Sequence, residues 1–247
     1  MAAKRAHRST PPQPPKGSRV HENQKIMDLS MKETTFPRAS DTTQERRDYI
    51  VKAATRVIAT EGLPALSVRG VAKSAGCSRG LVEHYFRNKT ALLVASNDWA
   101  NNVYLERVNA AVGAMTGLEA LELRLRNLIP YNDTIHDEWK IRIAFWHQGI
   151  TIPLVEESNN RSFYSVYNAI LADMRQAQET DKIATTIPLV ETSELLLMTV
   201  VGLCVCSMND SKLRQKAPLD RRLAMIMGFL KTADVAALTV GDPKTDY

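Results

Sequence analysis

A chain of 247 residues that is 44% hydrophobic and 24% charged has the composition of a soluble globular protein, long enough for one large domain or two small ones. No uninterrupted apolar run reaches the roughly 18 residues of a membrane span, and the polar, proline-containing N-terminus has no signal-peptide core, so a cytoplasmic, nucleoid-associated protein without a membrane partner is expected. The net charge of +5 is unevenly placed: residues 1–95 hold 17 Lys/Arg against 8 Asp/Glu and the rest 15 against 19, a bias that release of counter-ions from DNA phosphates can exploit.

Residues 1–40 contain TPPQPPK and scattered basic residues without periodicity, and are expected to form a disordered basic arm. The next unit, 41–95, opens on a capping box, Thr42-x-x-Glu45, followed by an apolar stripe of Ile50, Ala54, Val57 and Ile58 up to Gly62. Arg46 and Arg47 near the start of that helix are candidates for phosphate contacts. From Ser67 the spacing predicts a short helix with Val68, Val71 and Ala72 on its apolar face, a turn at Ala75-Gly76, and a second helix capped by Ser78 with Val82 and Phe86 inward. The outward arc then carries Gly80, Leu81, Glu83 and His84 with Arg79 on its flank, a set suited to base edges in a major groove. Ser67, Arg69, Tyr85 and Lys89 complete the candidate DNA contacts.

The run from Ala75 to Lys89 resembles the helix-turn-helix of the TetR family of transcriptional regulators. The residues that carry the resemblance are Ala75, Gly76, Ser78, Gly80, His84, Tyr85, Phe86 and Lys89. It implies an all-α fold of about nine helices, with an N-terminal three-helix DNA-binding domain joined by a long helix to a C-terminal bundle. Glu83 departs from the family pattern, which has a DNA-contacting tyrosine there. A carboxylate can instead accept from a cytosine amino group or select against wrong sites. Gly76-Cys77-Ser78-Arg79-Gly80 also matches the G-x-S-x-G elbow of hydrolases, but an elbow needs a strand before its serine and the preceding residues have helical periodicity.

Asn88 predicts the cap of a fourth helix over Lys89 to Val112. The unit 96–247 continues with helices over Leu118 to Ile129, Glu138 to Ile150, Pro153 to Gln178, Pro188 to Met208 and Asp220, as cap, to Lys231. The helix around LLLMTVVGLCVC is apolar almost all round, and Leu223, Met225, Ile226, Met227, Phe229 and Leu230 crowd the last one, which fits either ordinary buried core helices or, as the resemblance implies, pairing with a second copy through Leu195, Met198, Val201, Gly202, Val205, Ile226, Phe229 and Leu230. Such a two-fold dimer reads two half-sites of double-stranded operator DNA.

Trp139, Phe145, Trp146, Phe163, Tyr164 and Tyr167, with Met198, are the candidate ligand-binding residues. Around residues 139–170 the chain is similar to the choline-sensing, BetI-like branch of the family, which implies a small-molecule effector. Aromatic faces attract quaternary ammonium groups, with Asp137, Glu138 or Glu156 as counter-charges. Ordinary core packing is the competing reading of the same aromatics. Cys204 and Cys206 are about 200° apart on a helix and Cys77 stands alone, so neither metal nor other cofactor is expected and all three read as small buried hydrophobes.

The expected function is a ligand-released, homodimeric repressor. The alternatives are a constitutive DNA binder and a helical enzyme built on His136, His147 and neighbouring carboxylates, which lack metal-ligand spacing.

Overall fold

The computed structural model describes residues 36–37, 42–180 and 182–232, so all but two residues of the expected basic arm lie outside it. Among the described residues nine α-helices follow one another: α1 (Thr43–Glu61), α2 (Val68–Ala75), α3 (Arg79–Tyr85), α4 (Lys89–Val112), α5 (Gly117–Arg126), α6 (Asp133–Gly149), α7 (Pro153–Glu179), α8 (Leu189–Asn209) and α9 (Lys216–Thr232). A single 3-10 turn, Leu63–Ala65, joins α1 to α2, and no strand occurs among the described residues. The fold is all-α, with the helix-turn-helix at its N-terminal end.

Side-chain caps set the starts of α1 to α4 and of α6. The Thr42 hydroxyl accepts from the Glu45 N–H at 3.1 Å while the Glu45 carboxylate accepts from the Thr42 N–H at 2.7 Å. Asn88 caps α4 by accepting from the Ala91 N–H at 2.8 Å. Gly76 ends α2 at φ 65°, a left-handed conformation that only glycine adopts without steric cost.

Three boundaries differ from the sequence expectation. Helix α6 begins at Asp133 and not Glu138, because Asn132 accepts from the Ile135 N–H. Helix α5 stops at Arg126, before the stop expected from Pro130, and Asn127 ends it by donating its amide to the Leu123 carbonyl. Asp220 does not cap α9, which starts four residues earlier. Its carboxylate accepts from the Arg126 guanidinium at 2.5 Å and the Tyr131 hydroxyl at 3.2 Å, tying α9 to α5 and the loop after it.

The cysteines also need correcting: Cys204 is buried, Cys77 only half-buried, and Cys206 exposed, since on α8 it faces away from its neighbour two residues back. Helix α8 is long and apolar enough to cross a membrane by length and composition, although polar residues interrupt every long apolar run in it.

Two apolar cores meet along α4 and α6. The N-terminal core gathers Ile50, Ala54, Leu66, Val71, Val82 and Phe86 with Leu92 and Leu93 from the start of α4. Ile141 and Phe145 of α6 and Val155 of α7 belong to that same core. The C-terminal core takes Tyr104 and Val108 from the second half of α4, with Leu121, Trp139, Ile170, Met174, Leu197 and Leu223.

Buried ion pairs pin the helices around this second core. Glu138 accepts from Arg107 Nη2 at 2.7 Å and Nε at 3.1 Å, and Arg107 also donates to the Asn127 side chain at 2.8 Å. Asp173 accepts from Arg124 Nε at 2.8 Å, joining α7 to α5. Removing one member of such a pair strands a charge in a low-dielectric interior. Glu138→Ala is expected to lower unfolding free energy by about 3–5 kcal/mol in urea titrations. The double change Arg107→Met with Glu138→Met should lose markedly less, because no charge is then left unpaired.

Candidate nucleic-acid interface and ligand cavity

The helix-turn-helix is held from inside. Val71, Val82 and Phe86 are buried against α1, which fixes the rotation of α3 and leaves Arg79, Gly80, Glu83 and His84 exposed on its outer side. Leu81 and Tyr85 are half-buried at the edges of that arc. Ser67 and Arg69 at the start of α2 and Lys89 at the start of α4 are exposed as well.

Both serine hydroxyls are engaged as caps: Ser67 accepts from the Gly70 N–H at 3.0 Å and Ser78 from the Leu81 N–H at 3.2 Å. Ser78 is thus a helix cap in an all-helical setting, and the hydrolase motif has no counterpart in the structure. Arg47 is half-buried with its guanidinium 5.2 Å from the Phe86 ring centre, so it braces α1 against α3, and Arg46 is half-buried beside it.

Glu83 is not free on the outer arc. Arg79 Nε and Nη2 both lie 2.8 Å from its Oε1, one helical turn away, with both side chains largely in solvent. The pair stores a guanidinium on the candidate reading surface with its charge balanced until something competes for it. Lys73 and Arg87 are exposed on the same unit and were not among the expected contacts, although they belong to the basic excess of residues 1–95.

A second feature lies between α4, α6, α7 and α8, where a small cavity offers about 30 Å³ of room. Trp139, Trp146, Phe163, Val166, Leu197 and Val201 supply apolar wall, and Asn101, Arg142, Asn159 and Ser162 supply polar wall. Three of the expected aromatics are therefore present, with Trp139 and Trp146 edge to face at 5.8 Å. Phe145 is not. About 100° of rotation from Trp146, it points into the N-terminal core and is fully buried there. Tyr164 is 59% exposed and Met198 lies on the outer face of α8, so neither lines the cavity, while Tyr167 packs beside the C-terminal core.

The expected counter-charges are also committed or distant. Glu138 holds Arg107, Asp137 accepts from Lys140 at 2.8 Å, and Glu156 is exposed. Arg142 is the residue that sequence reasoning missed. It falls three after Trp139 and four before Trp146, a spacing that shares a helix face and was available to be read. His136, whose pKa is lowered by burial and by Arg214, contacts that arginine, and His147 lies three turns further along α6 and is exposed, so they form no joint acid-base site.

The outer faces of α8 and α9 are apolar and open. Leu195 is 66% and Phe229 70% exposed, Met198, Gly202 and Met225 are exposed beside them, and Val201, Val205 and Ile226 are half-buried. Leu230 is corrected: it points inward and packs in the C-terminal core, one residue out of phase with Phe229.

A three-helix core that presents the exposed second helix of a helix-turn-helix, with basic residues around it, is the architecture of a DNA-binding protein. Residues 50–95 match the profile of the bacterial regulatory proteins of the tetR family. The chain is 24% identical to the regulator BetI of Pseudomonas fluorescens over 136 residues, 53% of this chain and 68% of that one. It is 28% identical to BetI of Yersinia pestis over 130 residues, 49% and 64% of the two chains, so the match spans about two thirds of these curated relatives. A transcriptional regulator from Saccharomonospora viridis, crystallised with choline, shares the fold with a TM-score of 0.66 at 18% identity, over 76% of this chain and 97% of that one. Residues 50–95 thus carry the DNA-binding segment of the TetR family of helix-turn-helix transcriptional regulators, and the chain as a whole shares the fold of such regulators. The relatives that it matches are named as transcriptional regulators.

The basic and hydrogen-bonding groups of this unit should separate by role. Lys89→Ala or Arg46→Ala is expected to weaken binding to all DNA and to reduce the slope of log affinity against log salt by about 1 for a lost phosphate contact. His84→Ala or Arg79→Ala should instead cost about 1–3 kcal/mol at particular base pairs and relax preference there. Fluorescence anisotropy on a selected operator and its single-base variants distinguishes the two patterns, and four variants with one common pattern would refute the assignment.

Proposed function

We propose that the chain is a homodimeric repressor that binds double-stranded operator DNA and leaves it when a small molecule enters the cavity of the C-terminal bundle. The observation that carries this reading is the placement of α6. Trp139, Arg142 and Trp146 wall the cavity, while Ile141 and Phe145 of the same helix are packed inside the DNA-binding core. A ligand that shifts α6 has a direct mechanical path to α1 and the reading helix.

The mechanism is a population shift. The ligand binds better to the arrangement whose reading helices fit the operator less well, and each 1.4 kcal/mol of that preference changes operator affinity tenfold. The BetI likeness and the choline complex of the S. viridis protein support a small-molecule effector, a quaternary ammonium compound among the candidates. A regulator of this kind works in the cytoplasm on nucleoid DNA, with no cofactor.

The exposed apolar stripes of α8 and α9 support the dimer. Burying two such helices from each copy makes a four-helix interface, and its two-fold axis sets the spacing of the two reading helices. Leu195→Glu together with Phe229→Glu is expected to yield a folded monomer by sedimentation and circular dichroism, with operator affinity lowered at least about tenfold because half-sites are then bound singly. Operator anisotropy across a broad metabolite panel tests the switch itself. Unchanged affinity throughout would make the protein a constitutive DNA binder.

A further inference from the structure

The cavity carries a charge of its own. Arg142 sits with its guanidinium carbon 4.9 Å from the ring centres of both Trp139 and Tyr104, and makes no ion pair or hydrogen bond among the described residues. The aromatic faces that would cage a ligand cation are thus already occupied by a cation of the protein. A ligand ammonium group placed there would displace Arg142 or meet it as a like charge at contact distance.

The surroundings do not neutralise that charge. Glu138 is the carboxylate that lines the adjoining smaller cavity, together with Asn97, Asn101, Tyr104 and Arg142. Both its oxygens accept from Arg107. The Arg107–Glu138 pair sums to zero, and Arg142 is left in excess.

Neutral donors stand beside it. The Tyr104 hydroxyl is buried, with 2% of the residue exposed, and has no hydrogen-bond partner among the described residues. Burial pushes its pKa up to about 12, so it keeps its proton and can only offer it or accept a bond. Asn101 spends one amide hydrogen on Asn97 at 3.3 Å and has a second to give. An unpaired buried hydroxyl and an unpaired guanidinium are each unfavourable alone, and a single acceptor with negative charge satisfies both.

We propose that the effector of this protein is a small monocarboxylate with a short apolar or aromatic body, its carboxylate held by Arg142, Tyr104 and Asn101 and its body lying on Trp146, Phe163 and Leu197. This rests on the reading of the chain as a ligand-responsive regulator and names the ligand class of that cavity together with the smaller one adjoining it, which Tyr104 lines and with which it shares Asn101 and Arg142. One planar guanidinium matches one carboxylate, whereas a phosphate dianion would call for a second free cation, and Arg107 is committed to Glu138.

The test is calorimetric titration of the full chain with butyrate, hexanoate and phenylacetate, with the three corresponding amides, and with choline. Each carboxylate that binds is expected to do so at least about tenfold more tightly than its amide, as for a charge-assisted bond in a buried site. Arg142→Gln should abolish that ratio, Arg142→Lys should restore part of it, and Tyr104→Phe should reduce it severalfold. Thermal melts of each variant report folding, and if Arg142→Gln does not fold, Arg142→Lys, Tyr104→Phe and the wild-type ratio decide.

Equal affinity for carboxylates and amides, tighter binding of choline than of any carboxylate, or no carboxylate binding up to about 10 mM overturns the proposal, since millimolar affinity is the floor for a specific small-ligand site. Operator anisotropy with the same probes separates the two readings. A carboxylate that binds through Arg142 but leaves operator affinity unchanged supports the anion site and refutes the ligand-released switch. Choline releasing the operator while carboxylates do not bind refutes the anion site and supports the switch.

Discussion

Helix α6 cannot move without moving both halves of the molecule, because it is seated in two close-packed cores at once. Phe145 and Ile141 are fully enclosed among the residues that fix α1, while Trp139 is enclosed among those of the C-terminal bundle. Interiors at this density do not deform smoothly, so a rotation of α6 that suits the cavity has to be answered by repacking around Phe145. The Arg107–Glu138 pair adds a second link, since it clamps α6 to α4, and α4 begins immediately after the reading helix. The cavity and the DNA-reading surface are therefore joined along two rigid elements and not across a hinge.

The reading surface shows the opposite economy, with its groups held loosely. The Arg79–Glu83 pair is exposed and one turn apart, a type worth about 0.3–0.5 kcal/mol, so a base edge or phosphate competes for Arg79 at small cost. In the proposed DNA complex the carboxylate left behind would face the DNA and be tolerated only where a donor such as a cytosine amino group meets it. The residue that departs from the family's pattern thus restrains a neighbouring arginine, and in that complex it would also reject sequences that cannot satisfy it. A tyrosine at the same place would do neither.

Local signals were legible and long-range ones were not. Thr42 and Glu45, Gly76, Ser78 and Asn88 each announce a helix end through chemistry contained within four residues, and α1 to α4 follow from them. Asn132 is the same kind of signal, overlooked because the apolar run after it starts late. Asp220 misled because a cap-like residue can serve a distant partner, here Arg126 and Tyr131, and nothing local reveals that choice. The aromatics of α6 could be assigned to a cavity or a core only by knowing what lies opposite each face. Trp146 and Phe145 are neighbours in sequence and belong to different interiors. Arg142 was readable by its spacing, yet its meaning depends on Tyr104, which reaches it from α4, and on Glu138, one turn back on its own helix and committed to Arg107.

The same limit applies to α8, whose composition alone is compatible with a membrane, a buried core or a partner helix. Its faces decide between them. Leu196, Leu197, Val200 and Cys204 are buried against the bundle, while Leu195, Met198 and Gly202 recur at helical spacing on the outside. A membrane helix has no reason to divide its apolar residues in this way around a bundle held by buried ion pairs, whereas a helix shared between a core and the second copy proposed above would. Gly202 on α8 and Gly228 on α9 have open space where a Cβ would stand. Small residues among exposed Leu195, Met225 and Phe229 leave shallow recesses between large apolar side chains, the relief into which the same side chains of a two-fold related copy can pack.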